Sequence, residues 1–294
     1  MKIYDCTTFY SEKMMLDLRF NILNENVYKF IVVESSFSHS GKKKNFNFNI
    51  DDYPKFKEKI IYIKIHNEPA DLYKDKEKLK NPFYKRINSI KRIEQSYNYM
   101  MSGILDAQDE DIIIISDNDE IPNLNSNQFK NCNKNFIIFK QLLFYYKFNL
   151  QHELMPWFGS KACKKKNLKS FSNLRNLKNK KYPFWRLDTY LSNIKEISLE
   201  IIDAGGWHFT NLKTPEDLYI KMKNFGHHDE FDESNLTVED LRKKIKDGVV
   251  FYDHFADKRT NDKWKNDYKL KIIENNLLPS YLVENLNNYK DWFK

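Results

Sequence analysis

Glycine and proline are scarce in this sequence, 7 and 8 of 294 residues, which excludes a collagen-like or linker-dominated chain. Cysteine is scarcer still. Cys6, Cys132 and Cys163 are odd in number and widely spaced, so neither a disulfide framework nor a cysteine zinc site is implied, and a reducing compartment fits. No stretch reaches about 18 uninterrupted apolar residues, and the first residues (MKIYDCTTFYSEKMM) lack the apolar segment of a signal peptide. On this reading the chain is soluble and cytoplasmic, with no transmembrane segment. Apolar material is otherwise ample: 41% hydrophobic and 15% aromatic residues exclude a disordered protein, and 294 residues bury a full core without covalent staples. Lys and Arg number 49 against 41 Asp and Glu, and a net charge of +8 taken alone suggests a nucleic acid, an anionic membrane or a phosphorylated ligand. Lys and Asn are nevertheless spread along the whole chain, and the aromatics cluster in apolar runs such as LLFYYKF. The excess therefore reads as compositional background rather than a stacking surface for nucleic acid.

Hydrophobic periodicity predicts an α/β protein. Residues 3–10 read as a strand, followed by a helix with Ser11 as N-cap and Met14, Met15, Leu18 and Ile22 on one face. Residues 28–34 (YKFIVVE) and 59–65 (KIIYIKI) are two further strands. A helix over 86–105 then leads into 111–117 (DIIIISD), the most hydrophobic strand of the chain. Strands apolar almost throughout predict a central, mostly parallel sheet flanked by helices. Beyond Pro122 the expected elements are an aromatic strand or strand pair over 136–148, a basic surface loop or hairpin over 161–181, and a strand over 199–209 interrupted by Gly205-Gly206. A helix from Pro215 capped by Thr214 and helices over 238–246 and 268–286 complete the reading. With no repeat and no linker, one domain over 1–294 is expected, divided into 1–122, 123–250 and a helical 251–294.

The strongest chemical signal is residues 116–122, SDNDEIP. Ligands of open α/β sheets bind beyond the carboxyl ends of strands, and here the most buried strand ends in Asp117, Asp119 and Glu120. Carboxylates this close raise one another's pKa unless a cation intervenes, and Mg²⁺ or Mn²⁺ held by one or two of them keeps positions open for a diphosphate. The bland alternative is an acidic turn stopped by Pro122.

Residues 30–48 (FIVVESSFSHSGKKKNFNF) and 109–122 (DEDIIIISDNDEIP) resemble glycosyltransferase family 17, the family of the bisecting β-1,4-N-acetylglucosaminyltransferase. Residues 204–209 (AGGWHF) and Asp5 with 16–20 (LDLRF) look like further blocks of that family, in the same order over about 1–250. The resemblance implies a GT-A fold with 1–122 as the donor half and 123–250 as the acceptor and catalytic half. It also implies a nucleotide-sugar donor, UDP-N-acetylglucosamine, a divalent metal (Mn²⁺ or Mg²⁺), a glycan acceptor and inversion at the anomeric carbon. It places the metal on Asp117, Asp119 and His208, with Asp117 also touching the donor, and the nucleoside beside Glu34, which ends its strand where GT-A folds often bind it. His227, paired with Asp229, rivals His208 as the ligand.

Inversion needs an Asp or Glu as base opposite the leaving diphosphate. Asp188 is the candidate chosen, with Glu153 and Asp203 as others. Two further function classes remain as alternatives. A metal-dependent nucleotidyltransferase would also pair carboxylates beside a sheet but lacks a Gly-rich phosphate loop here. A nucleic-acid-binding protein would need basic and aromatic residues on one exposed face.

Overall fold

The computed structural model describes residues 1–224, 231–232, 234–253, 264 and 268–294. Strands β1 (Ile3–Thr8), β2 (Lys29–Ser35), β3 (Ile60–Ile65) and β4 (Ile112–Ser116) pair in parallel in the order β3-β2-β1-β4. Their pleat explains why they read as continuous apolar runs. Phe30, Val32, Ile112 and Ile114 face helix α1 (Lys13–Leu23), packing with its Leu16, Leu18 and Phe20. Ile31, Val33, Ile113 and Ile115 face the opposite side, where helix α2 (Pro82–Tyr99) lies with Tyr97 and the following 3₁₀ turn Met100–Ile104. Each fully buried side chain of this size contributes about 1.5–3 kcal/mol, so both faces hold the sheet in place.

Past β4 the sheet becomes mixed. The short strand β5 (Glu120–Pro122) and the one-turn helix α3 (Asn127–Lys130) lead to β6 (Phe136–Tyr145), and β7 (Leu150–Gln151) folds back on it. Strand β8 (Trp157–Lys164) inserts antiparallel between β4 and β6. After the one-turn helix α4 (Phe171–Arg175), strands β9 (Leu199–Ile202) and β10 (Gly206–Thr210) run parallel to β6 at its beginning and end. Helices α5 (Pro215–Asn224) and α6 (Val238–Asp247) cover a third apolar cluster that includes Tyr145, Leu218 and Leu241.

Several boundaries differ from expectation. Strand β8 was not anticipated, because its lysines make the sequence look solvated, yet Lys161 is buried within it. The expected loop over 161–181 thus begins as sheet. Helix α2 starts four residues early, with Pro82 at its first position and the Asn81 side chain accepting from the Phe83 N–H at 2.9 Å. Ser11 does not cap α1, where Glu12 holds the cap position; its carboxylate instead accepts from the N–H groups of Tyr10 and Ser11. Thr214 does cap α5, accepting from the Asp217 N–H at 3.1 Å. The expected helices over 268–286 are replaced by strand β11 (Lys271–Ile272), short 3₁₀ turns and the single helical turn α7 (Ser280–Glu284). Among the described residues no helix is long and apolar enough to cross a membrane.

Candidate functional site

Strand order changes direction between β1 and β4, and the carboxyl ends of these two strands lie side by side, Thr7 opposite Ser116. That is the position at which open α/β sheets leave a crevice for ligands. The chain leaves β4 there and reverses at once: the Glu120 N–H donates to the Asp117 carbonyl at 3.0 Å, and the Asp117 N–H to Glu120 Oε2 at 3.0 Å. Strand β5 then pairs antiparallel with β10, setting His208 opposite Glu120, while the Phe209 N–H donates to the Asp119 carbonyl at 2.9 Å. This close approach explains the glycine pair. Gly206 has φ +128°, and a Cβ there would lie 2.1 Å from the Ile121 carbonyl oxygen; one on Gly205 would lie 2.7 Å from that of Ile202.

Charges of both signs converge on the turn. Arg175 reaches Asp117 Oδ2 at 2.6 Å and both oxygens of Glu120 at 2.8 and 3.0 Å, and Trp157 Nε1 donates to Glu120 at 2.8 Å. His208 Nε2 lies 3.4 Å from Asp119 Oδ1, under the Trp157 ring, and Lys221 Nζ lies 3.8 Å from Asp119 Oδ2. Loss of hydration in the crevice pushes the Asp117 carboxyl up against the pull of Arg175, with Glu120 and Asp119 adding to the rise. Asp117 still keeps 43% of its side chain open to solvent, so it is the carboxylate an incoming ligand reaches first. Burial also opposes ionisation of Asp119 and Glu120, but His208 and Lys221 hold the first well below the usual range, and Arg175 and Trp157 lower the second. Behind the turn, fully buried Arg19 from α1 binds Asp5 of β1 and donates to the carbonyls of Asp117 and Glu120.

Two buried polar atoms on this turn and the neighbouring strand β10 have no hydrogen-bond partner, Asn118 Oδ1 and His208 Nδ1. Orphaned buried polar atoms are costly in a folded protein, and a water, an ion or a ligand group relieves the cost by completing the bonding. Among the described residues no three His, Cys, Asp or Glu side chains form a ready-made metal cage. The donor set nonetheless fits a hard divalent ion, which needs only one or two protein carboxylates when phosphate oxygens supply the rest.

Of the residues expected from sequence, Asp117, Asp119 and His208 come together. Glu34 does not offer itself to a nucleoside: it is fully buried, and Lys44, Tyr62 and the N–H groups of Asn47 and Phe48 take its acceptor positions. With about four lone-pair positions on a carboxylate, none is left over, and Glu34 anchors the loop that follows β2. Asp188, the expected base, stands apart from the acidic turn in its bonding. It sits on the 3₁₀ turn Leu187–Thr189, where Arg186 and Lys195 bind its oxygens at 2.7–2.9 Å and hold its carboxyl well below the range a proton acceptor needs. Glu153 and Asp203 are likewise exposed and paired, with Lys271 and Lys140. His227 and Asp229 lie outside the described residues. Sequence reading missed Arg175 and Trp157; nothing in the Lys- and Asn-rich stretch around Arg175 distinguishes it locally.

Beneath the site, Lys161 donates to the carbonyls of Arg175 and Leu177 at 2.8 and 2.7 Å, fixing the segment that carries Arg175. Burial, aided by the Arg175 charge, lowers its amine to about 7. The unfolded chain, with a lysine near 10.4, therefore binds more protons than the folded one between pH 7 and that value, and stability rises with pH across this window. Relative to Lys161→Met, the protein is expected to gain about 2 kcal/mol from pH 7 to 9 in urea unfolding. A difference that stays constant with pH overturns the assignment.

A profile of glycosyltransferase family 17 matches residues 1–293. No curated protein matches the chain. Among solved structures, it is similar to a putative glucose-1-phosphate thymidylyltransferase from Bacillus anthracis, at 13% identity and a TM-score of 0.34 over 70% of this chain and 88% of that one. HddC from Yersinia pseudotuberculosis, complexed with GMP-PN, gives 12% and 0.36 over 75% and 97%. The inositol-1-phosphate CTP transferase from T. maritima gives 14% and 0.34 over 85% and 98%.

Proposed function

The chain belongs to glycosyltransferase family 17, and from that premise we propose that the turn over 117–120 binds UDP-N-acetylglucosamine with Mn²⁺ or Mg²⁺ in a GT-A type arrangement and passes the sugar, with inversion, to a glycan acceptor. The observation that carries this reading is the pair of unpartnered buried polar atoms at the sheet's switch point, Asn118 Oδ1 on the acidic turn and His208 Nδ1 on the neighbouring strand β10. Asp117 and Asp119 would hold the divalent ion, with His208 beside them; once bound, the ion would supply Lewis-acid neutralisation of the leaving diphosphate. The chain's own residues do the rest. Arg175 keeps Asp117 and Glu120 from repelling one another, Arg19 fixes the carbonyls of the turn, and Trp157 orients His208 and Glu120. Lys221, and Lys213 at 3.6 Å from Glu12, line the same end of the sheet and supply positive charge toward donor phosphates. Residues 1–122 act as the donor half in this scheme and 123–250 as the acceptor half. Asp188 is left out, since its oxygens are already committed to two cations.

A panel of nucleotide sugars tests the proposal directly. Release of UDP from UDP-N-acetylglucosamine is expected to depend on added Mn²⁺ or Mg²⁺ and to stop with EDTA. Faster consumption of another nucleotide sugar would displace the donor assignment, and turnover unaffected by EDTA would displace the metal.

A further inference from the structure

The chain's positive charge is not evenly spread in effect. Residues 164–195 carry ten Lys and Arg against a single Asp, leaving 39 basic and 40 acidic side chains elsewhere, so this one segment accounts for the whole net charge of +8. At its tip, Phe184 (71% exposed), Trp185 (68%), Leu187 (79%), Tyr190 (66%) and Leu191 (92%) project into solvent. They are five of the fourteen exposed large apolar side chains among the described residues, gathered within eight positions. Scattered apolar residues need no explanation, but a cluster bordered by charge does.

The tip is built rather than slack. The Lys178 N–H closes its base on the Ile194 carbonyl at 2.8 Å, the Phe184 and Trp185 rings meet edge to face at 5.2 Å, and the Tyr190 hydroxyl donates to the Phe184 carbonyl at 3.1 Å. Asp188 faces Arg186 and Lys195 at its centre, so two cations are partly neutralised there; Glu200 does the same for Lys181, Glu110 for Lys164 and Lys166, and Asp117 with Glu120 for Arg175. Lys165, Lys169, Lys178 and Lys180 make no ion pair with a carboxylate among the described pairs.

We propose that residues 178–195 form an interfacial anchor that docks the protein on an anionic lipid bilayer, the apolar tip entering the headgroup region and the flanking lysines facing the lipid phosphates. Charge complementarity selects an anionic partner, and the side-chain types select lipid. Nucleobases stack on aromatic rings but gain little from Leu187 and Leu191, whereas both leucines lose water on entering the acyl boundary. The anchor is independent of the transfer chemistry, because none of these side chains belongs to the acidic turn.

Sedimentation of the full chain with vesicles is the test. The protein is expected to pellet with phosphatidylcholine vesicles containing phosphatidylglycerol and to stay in solution with phosphatidylcholine alone, and high salt should weaken the association. Leu187→Ser with Leu191→Ser should lower partitioning by at least about tenfold. Both leucines are exposed, so an unchanged melting temperature separates this loss from unfolding. Trp emission should shift to the blue on vesicle binding, and Trp185→Phe should remove most of that shift. Undiminished partitioning of the double leucine variant would overturn the proposal. So would single-stranded oligonucleotide binding tighter than vesicle binding and insensitive to that variant, which would make the segment a nucleic-acid surface.

Discussion

Asp119→Ala abolishes metal-dependent binding of UDP while leaving the fold intact: that is the expected result of calorimetry on the purified variant, with affinity in the presence of Mn²⁺ falling by about 100-fold or more. The magnitude follows from what outer-sphere partners are worth, about 10–100-fold in metal affinity, which a direct ligand should at least match. The structure separates Asp119 from its neighbours in a useful way. Asp117 and Glu120 share Arg175, so truncating either leaves a cation partly unpaired and confounds binding with stability. Asp119 faces the buried His208 and Lys221, whose side chain is 25% exposed so that water can take the place of the lost carboxylate there. UDP affinity unchanged by Asp119→Ala, or equally strong with EDTA, would remove the turn from donor binding.

Arg19→Met should produce the largest loss of stability. Arg19 and Asp5 are 0% and 1% exposed, and removing one member of a buried pair strands the other charge at a cost of about 3–5 kcal/mol. For a domain of this size that corresponds to roughly 10 °C in melting temperature. Removing both charges, with Asp5→Asn added to Arg19→Met, should recover much of the loss, since no bare carboxylate then remains buried. Arg19 also ties the carbonyls of Asp117 and Glu120, so the double variant should melt near the parent yet bind UDP and Mn²⁺ more weakly. A single variant that melts like the parent would show that the pair is not the keystone inferred here.

How much was legible beforehand depends on the range of the interaction. The strands β1 to β4 and helices α1 and α2 were readable because burial on two faces imposes continuous apolar runs, and an amphipathic helix imposes its own period. The acidic turn was readable because three carboxylates crowd the end of the most apolar strand, and Gly205-Gly206 announced a close backbone approach that β10 and β5 then make. Strand β8 was hidden by Lys161, whose burial is possible only because two carbonyls and a lowered amine pKa accommodate it.

By itself, then, the sequence determined an α/β sheet, the strand that carries the acidic turn, and membership of a glycosyltransferase family. Tertiary structure alone decided that Arg175 neutralises that turn from 55 and 58 residues away, that Glu34 has no acceptor position to spare, and that Asp188 is held by two cations on an exposed turn. It also decided that five apolar side chains at the tip of the basic segment stand in solvent. The reason is physical: periodicity and turn chemistry act over a few neighbouring residues, whereas the pairing of a charge depends on which distant side chain the sheet topology carries to within a few ångströms of it.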